Sequence, residues 1–192
     1  MKQKISDQKT DNKNELELEV ASLSRNDPLY PEIRQLYHDS FPDSERKPFE
    51  MIEKGVEQGI MEAWTISADG RLAGLAYVIL GEPLNVLDYL AVHPSMRNHG
   101  TGAWILAWLD EHYGDKPIIV EIETTRDNED EIAHRRKNFY LRNHFHDCGC
   151  DFNLFGVRME LMSTDHPVTF EEYYQVMNAY FGKEIGHYIH RL

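Results

Sequence analysis

Apolar positions recur with two periods along this 192-residue chain. "ELELEVASL" alternates charged and apolar residues as far as Val20, the period of a half-buried strand. "LYPEIRQLYHDSFP" sets Ile33, Leu36, Tyr37 and Phe41 at helical spacing, and Pro42 stops the run. "ERKPFEMIEKGVEQG" predicts a second short helix that ends near Gly59. "MEAWTISADGRLAGLAYVIL" predicts two strands joined at Asp69-Gly70, a strong turn pair, and Pro83 breaks the apolar run. "NVLDYLAV" is apolar on both faces, as a central strand is. A helix begins near Thr101 and is ended by Gly114 and Pro117. "PIIVEIET" predicts the next strand, and "DNEDEIAHRRKNFYLRN" a helix with acids first and bases later, which suits its dipole. "FNLFGVRMELMS" supplies the last strand. "TFEEYYQVMNAYFGK" predicts a final amphipathic helix with no place in a minimal core.

The order is β-α-α-β-β-β-α-β-α-β and then the extra helix, with no internal repeat. A hairpin combined with parallel crossovers predicts an α/β protein with a central mixed sheet flanked by helices. Residues 1–14 are polar and read as a flexible tail. Residues 15–165 form the main domain, and 166–192 a C-terminal helix and tail appended to it. The apolar face of that helix (Tyr173, Tyr174, Val176, Met177, Tyr180 and Phe181) packs either on its own core or across a dimer interface.

Hydrophobic residues make up 41% of the chain and charged residues 28%, a globular composition rather than a disordered one. No apolar run approaches the length of a membrane span, and "MKQKISDQKTDNKNE" has no apolar core of a secretory signal. A cytoplasmic location is therefore expected. The net charge of −13 repels nucleic acid and anionic membranes, so neither is an expected partner. Cys148 and Cys150 lack further ligands at zinc-site spacing and read as free thiols; no metal is expected.

The chemistry-bearing stretch is "AVHPSMRNHGTGAWILAWL", where an apolar strand turns into an apolar helix. Helix N-termini present backbone N–H groups and partial positive charge. Gly100 and Gly102 permit a ligand to approach that backbone closely, and Arg97 adds a cation, so the turn has the makings of a phosphate or pyrophosphate cradle. A bare G-x-G is first of all a tight turn in which glycine serves packing. The P-loop pattern is absent. The dinucleotide fingerprint fails because Ile105 stands where a third glycine or alanine is required.

The stretch resembles the pyrophosphate-binding motif of the GNAT superfamily of N-acetyltransferases, [QR]-x-x-G-x-[GA] after a strand signature L-A-V-x-P. Here Leu90-Ala91-Val92-His93-Pro94 precedes Arg97-Asn98-His99-Gly100-Thr101-Gly102. "FYLRNHF", Phe139 to Phe145, is similar to the family's F-Y-x-x-x-G-F, with His144 at the glycine position. The element order agrees from the first strand to about residue 162. The resemblance implies acetyl-CoA as acyl donor, with Leu90, Ala91, Val92 and Arg97 to Gly102 holding it. It also implies that the strand ending at Val92 splays from the strand at Ile118–Ile122.

Acyl transfer from a thioester to an amine needs a neutral amine, although a free alkylamine has a pKa of about 10.4. It also needs a donor for the oxyanion and a proton for the departing thiolate. Tyr140 matches the family tyrosine that serves as general acid; by itself the Phe139-Tyr140 pair also suits a core. Strand alternation puts Asp88, Leu90 and Val92 on one face, and Glu121 and Glu123 on one face of the next strand. Asp88 and Glu121 stand level as general base, and each also fits a structural hydrogen bond. Glu45 and Arg46, in "FPDSERKPF", lie where the family's acceptor loop falls, and Glu123 joins them as a substrate contact. His134-Arg135-Arg136-Lys137 reads as a solvated basic face or a coenzyme phosphate contact. His93 and His99 read as loop surface, and His187 and His190 as surface or docking residues.

The reading is an N-acetyltransferase that passes an acetyl group from acetyl-CoA to a primary amine of a small molecule or peptide in a ternary complex. Neither motif places a Cys or Ser as a nucleophile. The rivals are a non-catalytic acyl-CoA sensor and a homodimeric interaction module built on the C-terminal helix.

Overall fold

The computed structural model describes residues 2–4, 17–43, 45–114, 116–126 and 129–192. Its secondary structure is mixed α/β, with helices flanking mixed β-sheet. The chain forms two compact units, Met1–Tyr77 with Tyr89–Ile105, and Val78–Asp88 with Leu106–Leu192.

The first unit holds β1 (Lys2–Lys4), β2 (Glu17–Ser22), α1 (Tyr30–Ser40), α2 (Phe49–Glu57) and β3 (Met61–Ala68). It also holds most of β4 (Arg71–Ile79), the end of β5 (Asn85–Val92) and the start of α3 (Thr101–Tyr113). Its strand order is β1-β2-β3-β4-β5. β2 pairs antiparallel with β1 and with β3, Val20 lying opposite Ile66. Lys2–Lys4 thus form an edge strand inside the stretch expected as a tail; the rest of 1–14 lies outside the described residues. Asp69 and Gly70 both take the left-handed backbone that a two-residue hairpin turn requires.

α1 buries Ile33, Leu36 and Tyr37, as its spacing predicts, and stops at Phe41, before Pro42. The Tyr37 ring lies 4.9 Å from that of Tyr89, 5.4 Å from Phe49 and 5.6 Å from Phe41. The pairs with Tyr89 and Phe49 meet edge-on, an arrangement that adds to the burial of the rings. On α2, Glu53 is buried, which costs free energy unless the charge is paired. Arg25 grips it with two hydrogen bonds of 2.7 and 2.6 Å, and the Tyr30 hydroxyl donates a third at 2.5 Å.

The second unit holds the end of β4, the start of β5, the rest of α3, β6 (Ile118–Glu123) and α4 (Glu131–Arg142). It continues through β7 (His146–Leu154), β8 (Val157–Ser163), α5 (Phe170–Phe181) and β9 (Ile189–Arg191). The strand order is β4-β5-β6-β8-β7-β9. β5 and β6 are parallel, with Asn85 opposite Ile118 and Val86 opposite Ile119. β6 pairs antiparallel with β8, where Glu121 faces Leu161.

One expectation needs correction here. "FNLFGVRMELMS" is not one strand, because Phe155 and Gly156 form a left-handed two-residue turn that splits it between β7 and β8. His187 and His190 are exposed, as expected of surface residues, and His190 lies on β9, which pairs with β7 and sets it opposite Asn153.

α5 begins with a full capping box: Thr169 caps Glu172, and the Glu172 carboxylate accepts from the Thr169 backbone. It buries Tyr173, Val176 and Met177 within its own unit, the first of the two packings expected for it. No helix among the described residues is long and apolar enough to cross a membrane.

Candidate active site

In the first unit the expected cradle is a loop tied at both ends. β5 ends at Val92, and a short 3-10 turn follows at Pro94–Met96. The Arg97 side chain donates from Nε to the Val92 carbonyl at 3.1 Å. Thr101, buried at the start of α3, donates its hydroxyl to the Met96 carbonyl at 3.0 Å. Between these ties Asn98, His99 and Gly100 are exposed, with Asn98 at φ 64° and Gly100 at φ 80°. A Cβ built on Gly100 would meet nothing within 4 Å, so the loop opens onto clear space in front of the helix terminus. Left-handed backbone beside helical backbone can gather successive N–H groups into an anion site. The residues present fit a pyrophosphate.

Burial alternates along β5 as expected: Leu87, Tyr89 and Ala91 are buried, while Asp88, Leu90 and Val92 are half-exposed. Tyr89 fixes the loop between α1 and α2. Its hydroxyl donates to the Glu45 carbonyl at 2.9 Å and accepts from the Lys47 N–H at 3.0 Å. Glu45 itself is exposed. Arg46 pairs with Asp43, donates to the His38 carbonyl at 3.0 Å, and lines a cavity of about 570 Å³ with Arg34, His38 and Lys47. Of the expected acceptor residues Arg46 borders this depression, whose lining also includes Asp43, Tyr37 and Phe49.

The second unit holds the expected acid and bases. Tyr140 lies in the last turn of α4, buried between Phe139 and Phe145. Burial pushes its hydroxyl up to about 12, against a small opposing effect of Arg136. The N–H groups of Asn143 and Phe145 both donate to the Tyr140 carbonyl, and His144 closes the helix at φ 66°. Glu123 is held by Arg136 on α4. Lys137, one residue on, donates 2.7 Å hydrogen bonds to Asp147 and to fully buried Glu160. The basic run is thus an exposed face from His134 to Arg136, with Arg136 paired to Glu123, while Lys137 turns inward to Asp147 and Glu160.

Sequence reasoning missed Tyr173. This α5 residue is fully buried, and its hydroxyl donates to Oε1 of Glu121. Burial first, and then the negative charges of Glu121 and Asp88, push the phenol well above its ordinary range, so it stays protonated. One buried donor is thus shared electrostatically by both candidate bases. The only available signal was the large apolar face of α5, which says that the helix docks and not where. Cys148 and Cys150 are free, with thiols raised chiefly by burial. Among the described residues no group of three or more His, Cys, Asp or Glu could hold a metal.

The family model described as the acetyltransferase (GNAT) family matches residues 30–145. A GNAT-family protein from Bacteroides thetaiotaomicron superposes with a TM-score of 0.73 at 22% identity, covering 88% of this chain and 98% of its own. An acetyltransferase from Bacillus subtilis, solved with CoA, gives 0.57 at 16% identity and covers 78% of this chain and 99% of its own. A GNAT-family acetyltransferase from Elizabethkingia anophelis, solved with acetyl-CoA, gives 0.56 at 11% identity over 78% and 98%. At these identities the superpositions speak for the fold. A search of curated protein sequences gives no match. The family match covers more than half of the chain and both motifs, and on that ground the chain belongs to the GNAT acetyltransferase family.

Proposed function

We propose that the protein transfers an acetyl group from acetyl-CoA to a primary amine of a small molecule or peptide, in the cytoplasm, with both substrates bound together. The observation that carries this is the cradle. Gly100 is left-handed, open to solvent and set at the start of α3, with Arg97 anchored beside it. A diphosphate is the ligand such a terminus favours. Acetyl-CoA supplies a diphosphate and an acyl group activated as a thioester. Two proteins of the same fold were solved with CoA or acetyl-CoA, which supports this donor.

The chain's own groups would then divide the work. Arg97 and the N–H groups from Asn98 to Gly102 bind the donor. Leu90, Ala91 and Val92 present strand backbone beside it. Tyr140, whose hydroxyl burial raises to about 12, offers a protonated donor to the departing sulfur. Asp88 or Glu121 accepts the proton of the incoming amine, and Glu45, Arg46 and Glu123 contact the acceptor. Direct transfer is favoured because both thiols of the chain are raised, hence protonated and poorly nucleophilic.

Thiol release from acetyl-CoA across a panel of primary amines tests the reading, and no release with any amine would defeat it. Gly102→Val tests the cradle by calorimetry. Gly102 lies inside α3, where valine adopts ordinary backbone, so the fold should persist while acetyl-CoA affinity falls at least tenfold. Unchanged affinity in the folded variant would remove the cradle from donor binding.

A further inference from the structure

The C-terminal helix lies outside the part of the chain that the family model matches, yet it delivers a hydroxyl to a candidate catalytic carboxylate. The geometry assigns Tyr173 as a positioning residue for Glu121: the phenol of α5 holds this carboxylate ionised and aimed, so that it can take the proton of the acceptor amine. The proposal rests on the acetyl-transfer reading for the identity of the proton donor, and on the hydrogen bond itself for everything else.

The local construction is rigid. The Thr169–Glu172 capping box fixes where α5 begins, one turn before Tyr173. The Tyr173 ring lies 5.1 Å from Phe152 and 6.1 Å from Phe170, so it cannot swing. Its hydroxyl oxygen is therefore held in one place, within hydrogen-bonding reach of Glu121. A hydrogen bond donated to a carboxylate favours the charged form. A general base must be ionised before it can act, and must point at its proton.

The groups that bear on this pair come from several elements. Asp88 of β5 and Cys150 of β7 act on the Tyr173 hydroxyl along with Glu121. Glu123 shares the face of β6 with Glu121 and is paired with Arg136 of α4. The β8 residue opposite Glu121 is Leu161, which carries no charge. Carboxylates thus dominate around the pair, and Tyr173 is the neutral donor placed among them.

Tyr173→Phe removes the donor and keeps the ring. Carbon-13 NMR of labelled glutamate, with Glu121→Gln to assign the resonance, should show the Glu121 carboxyl titrating about one pH unit or more higher in the variant. With the fastest amine of the panel and saturating acetyl-CoA, the acidic limb of kcat should move up by the same interval, while KM for acetyl-CoA stays unchanged. A role confined to packing would move neither. An unchanged Glu121 titration in folded Tyr173→Phe overturns the proposal, as does a shifted titration with an unmoved acidic limb. Should Tyr173→Phe not fold, Glu121→Gln gives the reciprocal reading: one tyrosine ring carbon should titrate at lower pH than in the wild type. Its failure to move would be equally fatal. Absence of turnover with every amine counts against acyl transfer, whereas the carboxyl titration still decides the Tyr173–Glu121 pair.

Discussion

His144 sits at φ 66°, in the left-handed region, at the point where the family pattern places glycine. A side chain there crowds its own backbone, at a cost of about 1–2 kcal/mol. The residue is exposed, so little packing offsets the cost. His144→Gly should therefore raise stability by about 1 kcal/mol and the melting temperature by roughly 2–4 °C for a chain of this size. A thermal scan showing a lower melting temperature would mean that the imidazole makes a contact worth more than the strain. Four residues earlier, Tyr140 is the hydroxyl that the motif places for leaving-group protonation. Raised to about 12 by burial, it is a weaker acid than the free thiol of about 8.5 that it would assist. In the proposed transfer it would serve as a strong hydrogen-bond donor to the sulfur as negative charge develops. Tyr140→Phe should then lower kcat roughly 10²-fold, the modest end for a lost general acid, with acetyl-CoA affinity and melting temperature nearly unchanged. Because this phenol does not ionise below about pH 11, the pH profile of Tyr140→Phe should keep the alkaline limb of the wild type. A limb abolished by the substitution would show that the hydroxyl titrates lower than its burial implies. The F-Y-x-x-x-G-F motif singles out Tyr140 because its spacing is local and fixed. Tyr173 carries no such signal, because its hydrogen-bond partner lies 52 residues away across a fold that nothing local encodes.

At the scale of elements, what could be read depended on whether a boundary carried its own signal. Asp69-Gly70 announces a hairpin, and Pro42 and the Gly114–Pro117 pair end their helices where expected. Phe155-Gly156 makes the same kind of turn without the usual Asn or Asp, so the pattern ran β7 and β8 together. The turn is held instead by the Gly156 N–H, which donates to the Asn153 side chain at 2.8 Å. α5 was readable as a helix from its periodicity, while its seat depends on a residue of another segment. A Cβ built on Gly81 would lie 2.5 Å from Cγ1 of Val176 and 2.8 Å from the Leu84 carbonyl. No side chain fits there while α5 keeps its place. Gly81→Ala should destabilise the protein by about 1–3 kcal/mol, the usual range for overpacking. Trimming the opposing side chain should relieve part of that. In urea unfolding, Gly81→Ala with Val176→Ala is expected to be more stable than the sum of the two single effects. Simple additivity would mean that the Leu84 carbonyl, not α5, sets the limit at this position.

For the molecule as a whole, a charge of −13 leads one to expect that acid stabilises it by relieving repulsion among carboxylates. The internal pairs work in the opposite direction. The hydrogen bond from Arg25, then that from Tyr30 and the charges of Arg25 and Arg34, hold the Glu53 carboxyl below its ordinary range against the effect of burial. In the second unit burial pushes Asp147 up, but Lys137, the Gly149 N–H and Arg126 together bring it below the usual value. A carboxyl depressed in the folded state contributes its stability in full above its unfolded pKa, about 4.3 for Glu and 3.9 for Asp. That contribution is lost as the pH falls through the folded value. The two effects occupy different windows. Between pH 7 and about 5 the buried pairs stay ionised, and stability should hold steady or rise slightly as surface repulsion eases. Below about pH 4 protonation of Glu53 and Asp147 should dominate, and the urea midpoint should fall steeply. Glu53→Gln isolates the first of these groups: it should be less stable at neutral pH, and its midpoint should fall less steeply below about pH 4, because one of the protons that drive acid unfolding is no longer taken up. An acid limb as steep in Glu53→Gln as in the wild type would place the proton uptake on surface carboxylates, and would make the Arg25–Glu53–Tyr30 cluster a packing device with no part in the pH response.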